Sequence, residues 1–181
     1  MKSSVAQWFS PGLLSKLNEF EIDMKISEHH DPLDFSFMKI DSFENCSSEG
    51  KNFVEPRLWL NQVQKKDANK KYLTPSVRLN DNEISNMENL SSFLKFYFAS
   101  PEESITWIDL SNNQINKISP ELFKFANIKI LYLHGNKISE EQEISKLKKL
   151  ESLRKLTLHG NPLENKTGYF YRILSLLPNL L

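Results

Sequence analysis

Val77-Arg-Leu79-Asn-Asp-Asn82-Glu-Ile84, Ile105-Thr-Trp-Ile108-Asp-Leu110-Ser-Asn-Asn113-Gln-Ile115, Ile128-Lys-Ile-Leu131-Tyr-Leu133-His-Gly-Asn136-Lys-Ile138 and Leu153-Arg-Lys-Leu156-Thr-Leu158-His-Gly-Asn161-Pro-Leu163 are four versions of one line. Each has the spacing LxxLxLxxNxL or its C-terminal part. The xLxL centre alternates with period two, which predicts a short strand with one apolar face. A single strand cannot bury that face, but stacked copies cover one another and form a continuous core. The asparagine falls where the chain leaves the strand. Its amide carries donors and acceptors, so it can satisfy backbone groups of its own turn and of the neighbouring coil. Asn82, Asn113, Asn136 and Asn161 are therefore expected to form a buried ladder, each worth roughly 1–3 kcal/mol through the partners its loss would strand.

The spacing places the coils. Asn113 to Asn136 is 23 residues and Asn136 to Asn161 is 25, whereas Asn82 to Asn113 is 31. The first repeat thus carries an insertion, assigned to the aromatic stretch Phe93–Pro101 and read as a longer convex helix. Glu121–Phe125 and Glu140–Leu150 read as the other returning helical segments, the second with Ile144, Leu147 and Leu150 on one face. After Asn161-Pro-Leu, a final helix bearing Tyr169, Ile173, Leu176 and Leu177 is expected to close the stack, with Leu180 beginning a last strand.

These lines are the signature of leucine-rich repeats, and the ending Asn161-Pro-Leu…Tyr169-Phe-Tyr-Arg…Leu177-Pro-Asn-Leu resembles the cap of their SDS22-like class. More narrowly, Pro32-Leu-Asp-Phe-Ser-Phe37, Thr106-Trp-Ile-Asp-Leu-Ser-Asn-Asn113, Leu131-Tyr-Leu-His-Gly-Asn136 and Leu156-Thr-Leu-His-Gly-Asn-Pro162 resemble one family of short leucine-rich-repeat proteins. The resemblance covers about Asp31 to Pro178. It implies a non-catalytic adaptor found in ciliated organisms, with axonemal or microtubule-associated protein partners. The expected fold is α/β: a short leucine-rich-repeat solenoid over 74–181, with a parallel concave sheet, a helical convex side and a C-terminal cap. Residues 1–73 form an N-terminal arm with an amphipathic helix and a charged linker.

Within the arm, Ser10, Pro11 and the stripe Leu13, Leu17, Phe20, Met24 predict a helix over Pro11–Ile26. It either packs on its own repeats or docks on a partner. Leu33, Phe35 and Phe37 alternate as in a short edge strand. Glu19–Glu49 carries nine acids against Lys25 and Lys39, and Lys51–Lys71 reverses the sign. The run Lys65–Lys71 reads as a solvated loop or as a contact for an acidic partner.

Composition narrows the function. The 181 residues have a net charge of +0, so no global field draws the chain to nucleic acid or membrane. The single cysteine, Cys46, allows no internal disulfide and points to a reducing, cytoplasmic setting. The opening Met1-Lys-Ser-Ser-Val-Ala-Gln-Trp-Phe lacks the apolar run of a signal peptide. With only 5 glycines the chain has no phosphate loop, nucleophile elbow or HExxH motif. Hence no enzyme, cofactor, metal or small-molecule substrate is expected.

Outward strand positions are where function can vary. Read across the strands they form three rows: Ser76, Trp107, Ile130, Lys155; Arg78, Asp109, Tyr132, Thr157; and Asn80, Ser111, His134, His159. Trp107, Ile130 and Tyr132, flanked by Arg78, Asp109, His134 and Lys155, are predicted as an exposed partner-binding patch, because aromatic anchors dominate protein interfaces. The competing expectation is that the chain's own arm covers the patch. The SDS22 likeness adds an alternative role, a regulatory subunit of a protein phosphatase. That role calls for an acidic, aromatic concave face across more repeats.

Overall fold

The computed structural model describes residues 31–44, 54–58 and 64–181. The helix expected at Pro11–Ile26, and Cys46, lie outside them. Five short parallel strands form one sheet in chain order: β1 (Leu33–Asp34), β2 (Ser76–Arg78), β3 (Trp107–Asp109), β4 (Ile130–Tyr132) and β5 (Lys155–Thr157). The register runs Ser76, Trp107, Ile130, Lys155 along one row and Asp34, Arg78, Asp109, Tyr132, Thr157 along the next.

Returning segments line the other side: α1 (Leu90–Tyr97), α2 (Pro101–Ser104), a 3-10 turn at Pro120–Lys124, α3 (Glu141–Ser145) continued by a 3-10 turn at Lys146–Lys149, and α4 (Tyr169–Leu176). The insertion helix thus overlaps the stretch Phe93–Pro101 assigned from sequence but begins earlier, at Leu90, and ends at Tyr97. It buries Leu90, Phe93, Leu94 and Tyr97, then stops as Phe98 turns extended and bridges Tyr72. Inward leucines and isoleucines from every coil, from Leu33 to Leu163, form one core.

The asparagine ladder joins the coils. Asn136 donates to the carbonyls of Leu110, Leu133 and His134 at 2.9, 3.0 and 3.3 Å, and its Oδ1 accepts from Ile115 N–H at 3.0 Å. Asn113 donates to Leu79, Leu110 and Ser111 carbonyls and accepts from Ile84 N–H. Asn161 donates to Leu133 and Leu158 carbonyls and accepts from Ile138 N–H. Asn82 donates to Phe35, Leu79 and Asn80 carbonyls and accepts from Met38 and Ile40 N–H groups.

That last set of bonds reveals a further coil. Leu33, Phe35, Met38 and Ile40 stand at the repeat spacing of Val77, Leu79, Asn82 and Ile84, with methionine in the asparagine slot. Phe35 is fully buried, with its ring 5.1 Å from Phe93 and 4.8 Å from Tyr97. Phe37, aligned with Leu33 and Phe35 in the sequence alternation, is instead 66% exposed. The strand ends before it, and its φ of 58° turns the chain, as Asp81, Asn112, Gly135 and Gly160 do one coil after another. At Gly135 a Cβ would in addition meet Asn112 Oδ1 at 2.2 Å, so the Asn112 side chain would have to move aside.

Candidate functional site on the concave face

Beyond the ladder, the sheet's outward side chains make the site. Arg78 lies with its guanidinium over the Trp107 indole, 5.5 Å from the ring centroid, and Tyr132 meets the same indole edge-on at 5.9 Å. Lys155 reaches across to the Tyr132 ring at 5.6 Å. The outcome for exposure differs from the sequence reading: Trp107 is 9% exposed and Ile130 3%, although neither belongs to the leucine core. A concave surface brings outward side chains of adjacent strands together, so Arg78 and Tyr132 flank the indole. Arg78, Tyr132, His134 and Lys155 remain half-buried, and Asp109 is 9% exposed.

Asp109 is held by its own coil. Its Oδ1 accepts from Ser111 N–H at 3.0 Å and from Ser111 Oγ–H at 2.6 Å. Asp34 and Ser36 repeat this arrangement in the first coil at 2.8 and 2.6 Å. Arg57 covers the edge beyond β1: its N–H donates to Asp34 O at 2.7 Å, its guanidinium lies 3.4 Å from Asp34 Oδ1, and it also donates to Ser36 O and Ser36 Oγ. Together these groups line a concave pocket of about 360 Å³ that includes Phe37, Arg57, Arg78, Trp107, Asp109 and Tyr132. Inside this face Trp107 Nε1 and Asn80 Oδ1 are buried without a hydrogen-bond partner among the described residues. Arg78 is held by an aromatic ring and by no carboxylate there. With that unpaired donor, Trp107 Nε1–H, and that unpaired acceptor, Asn80 Oδ1, beside the Arg78 guanidinium, the pocket suits a peptide group, which offers both a carbonyl and an N–H.

Asp34, Ser36, Phe37 and Arg57 were not among the site residues read from the sequence. The spacing of Leu33, Phe35, Met38 and Ile40, and the shared Asp-x-Ser of Asp34 and Asp109, carry the signal for the first three. Nothing local marks Arg57.

At the C-terminal half of the face His134 and His159 stack, with centroids 4.5 Å apart and planes 14° apart, and His134 Nδ1 bonds Thr157 Oγ1 at 2.8 Å. Among the described residues no three His, Cys, Asp or Glu side chains converge as a metal site. Burial, then the neighbouring His159, push the His134 pKa below the ordinary 6.5, against the pull of Asp109 and Asp81. The folded chain therefore binds this proton less readily than the unfolded chain does. Stability is complete above the ordinary imidazole value and falls as pH drops from there to the folded value. The fall in melting temperature between pH 7.5 and pH 5.5 is expected to shrink in His134→Gln; an identical fall would show that the proton is not excluded.

No helix among the described residues is long and apolar enough to cross a membrane. The leucine rich repeat family model matches residues 103–163. Leucine-rich repeat-containing protein 51 from Rattus norvegicus is 38% identical over 157 residues, which cover 87% of this chain and 78% of that protein. A tubulin-specific chaperone E from Dictyostelium discoideum is 29% identical over 105 residues, 51% of this chain and 20% of that one. Among solved structures, a chain of the Drosophila melanogaster SNF/U2A′ complex aligns at a TM-score of 0.45 and 20% identity, covering 66% of this chain and 76% of that one. At 38% identity over 87% of this chain and 78% of that relative, the chain belongs to the leucine-rich repeat-containing protein 51 family.

Proposed function

We propose that the protein is a non-catalytic adaptor that binds a protein segment through its concave face and N-terminal arm within a cytoplasmic ciliary or axonemal assembly. The observation that carries the reading is the Arg78–Trp107–Tyr132 cluster, where, among the described residues, a guanidinium without a carboxylate partner and an orphaned indole N–H share one pocket. Leaving such groups unpaired has a cost that a bound partner removes. The repeat core needs neither Trp107 nor Arg78, since both point away from it. Ile130, Asp109, His134 and Lys155 extend the surface across β3, β4 and β5. The ciliary setting rests on the family, and the partial likeness to a tubulin-specific chaperone agrees with a microtubule-associated partner. A phosphatase-regulatory role is less well supported, because basic Arg57, Arg78 and Lys155 stand where an acidic face would be needed.

The test is a tagged Arg78→Ala, Tyr132→Ala chain in ciliated cells. Incorporation into axonemes should drop about tenfold or more, the effect of losing an interface anchor, while the melting temperature stays within a few degrees. Equal incorporation would rule out the concave face, and recovery of a phosphatase catalytic subunit in place of axonemal proteins would favour the regulatory role.

A further inference from the structure

A second surface lies on the α1 side and shares no residue with the concave pocket. The Lys65–Lys71 run is an ordered hairpin. Lys66 bridges Tyr72, Leu73 N–H donates to Lys65 O at 3.0 Å, and Asp67 N–H donates to Lys71 O at 2.8 Å. Asp67 Oδ1 closes the turn by accepting from the N–H groups of Asn69 and Lys71. Tyr72 N–H then donates to Tyr97 O at 2.8 Å, which fastens the hairpin to the end of α1.

The lysines are posed by aromatic rings. Lys66 Nζ sits 4.2 Å from the Tyr72 centroid. Lys71 Nζ lies 5.0 Å from the Phe96 centroid and donates to Phe96 O. Lys65 and Lys70 are exposed beside them. Other lysines meet carboxylates, as in Lys95–Glu102 at 2.6 Å, Lys124–Glu121 at 2.5 Å, Lys146–Glu143 at 2.6 Å and Lys166–Glu140 at 3.1 Å, while Lys149 and Lys155 lie singly over Phe123 and Tyr132. None of the four hairpin lysines has a carboxylate partner among the described residues. Beneath them runs a groove of about 440 Å³, whose wall includes Leu58, 55% exposed.

We infer that this groove is a docking site for an acidic peptide. Charge complementarity selects the occupant: Lys66, Lys70 and Lys71 line the groove and Lys65 is exposed beside it, against Glu55 at the rim and Asp67, already engaged in its turn. Single-stranded nucleic acid is disfavoured because the faces of Tyr72 and Phe96 are occupied by lysine heads, leaving no platform for bases. A flat lipid surface would leave the recessed groove and Leu58 unused. Ring-held ammonium groups lose little freedom on binding, which favours a peptide carboxylate over bulk water.

The experiment is fluorescence anisotropy of a fluorescein-labelled decaglutamate peptide with the full chain at near-physiological salt. Saturable binding is expected, about tenfold weaker in Lys66→Gln, Lys70→Gln, whose exposed side chains leave the melting temperature unchanged. The concave variant Arg78→Ala should bind the peptide as the parent does, so failure of this site and failure of the concave reading are separable. The inference is overturned by absence of saturable binding or by equal binding of the double variant. It is equally overturned if oligothymidylate or phosphatidylserine vesicles, and not the peptide, are held through these lysines.

Discussion

Asn136→Asp should destabilise the protein by about 3 kcal/mol or more, the order of cost for facing a buried charge to groups it cannot bond. Asn136 is 2% exposed. The substitution removes both Nδ2 hydrogens and turns a buried carboxylate toward the carbonyls of Leu110, Leu133 and His134, which keep their bonds from Asn113, Asn161 and the Asn112 N–H but now face a negative charge. For a chain of this size that corresponds to a fall of about 10 °C in melting temperature. Asn112→Asp is the control. Asn112 is exposed, and its side chain donates only to Asp81 Oδ1 at 3.0 Å. There the new carboxylate meets Asp81 in solvent, a repulsion of under about 1 kcal/mol. Equal melting temperatures for the two variants would mean that the inter-coil bonds of the ladder do not hold the stack.

Phe35→Ala should cost about 3–5 kcal/mol, as expected for emptying a buried aromatic site. The ring is fully buried between Phe93 and Tyr97, and Phe43 touches the same Phe93 ring at 5.0 Å. These contacts fasten the first coil to α1, so the variant should lose hydrogen-exchange protection in β1 before it loses protection in β4. Phe37→Asn serves as its comparison. That side chain is 66% exposed at a left-handed φ of 58° that asparagine tolerates, and the change should stay within about 0.5 kcal/mol. If Phe35→Ala is as mild as Phe37→Asn, residues 31–44 are an appended arm and not the first coil.

The strand rows and the ladder were legible in the residues alone, for a geometric reason. A strand alternates with period two and each ladder asparagine stands three residues after an inward leucine, so one matched position aligns a whole coil with the next. The rows Ser76, Trp107, Ile130, Lys155 and Arg78, Asp109, Tyr132, Thr157 follow directly from that rule. The first coil escaped it because Met38 replaces the asparagine. Asn82 supplies the missing link from the other side, accepting from Met38 and Ile40, and only the folded chain brings those groups together. Burial was also decided in three dimensions. Periodicity tells which way Trp107 and Ile130 project, but the low exposure of each depends on what curvature gathers over them. The same holds for Arg57 at the sheet edge and for the lysines posed on Tyr72 and Phe96, since both arrangements join segments through contacts that no local pattern encodes.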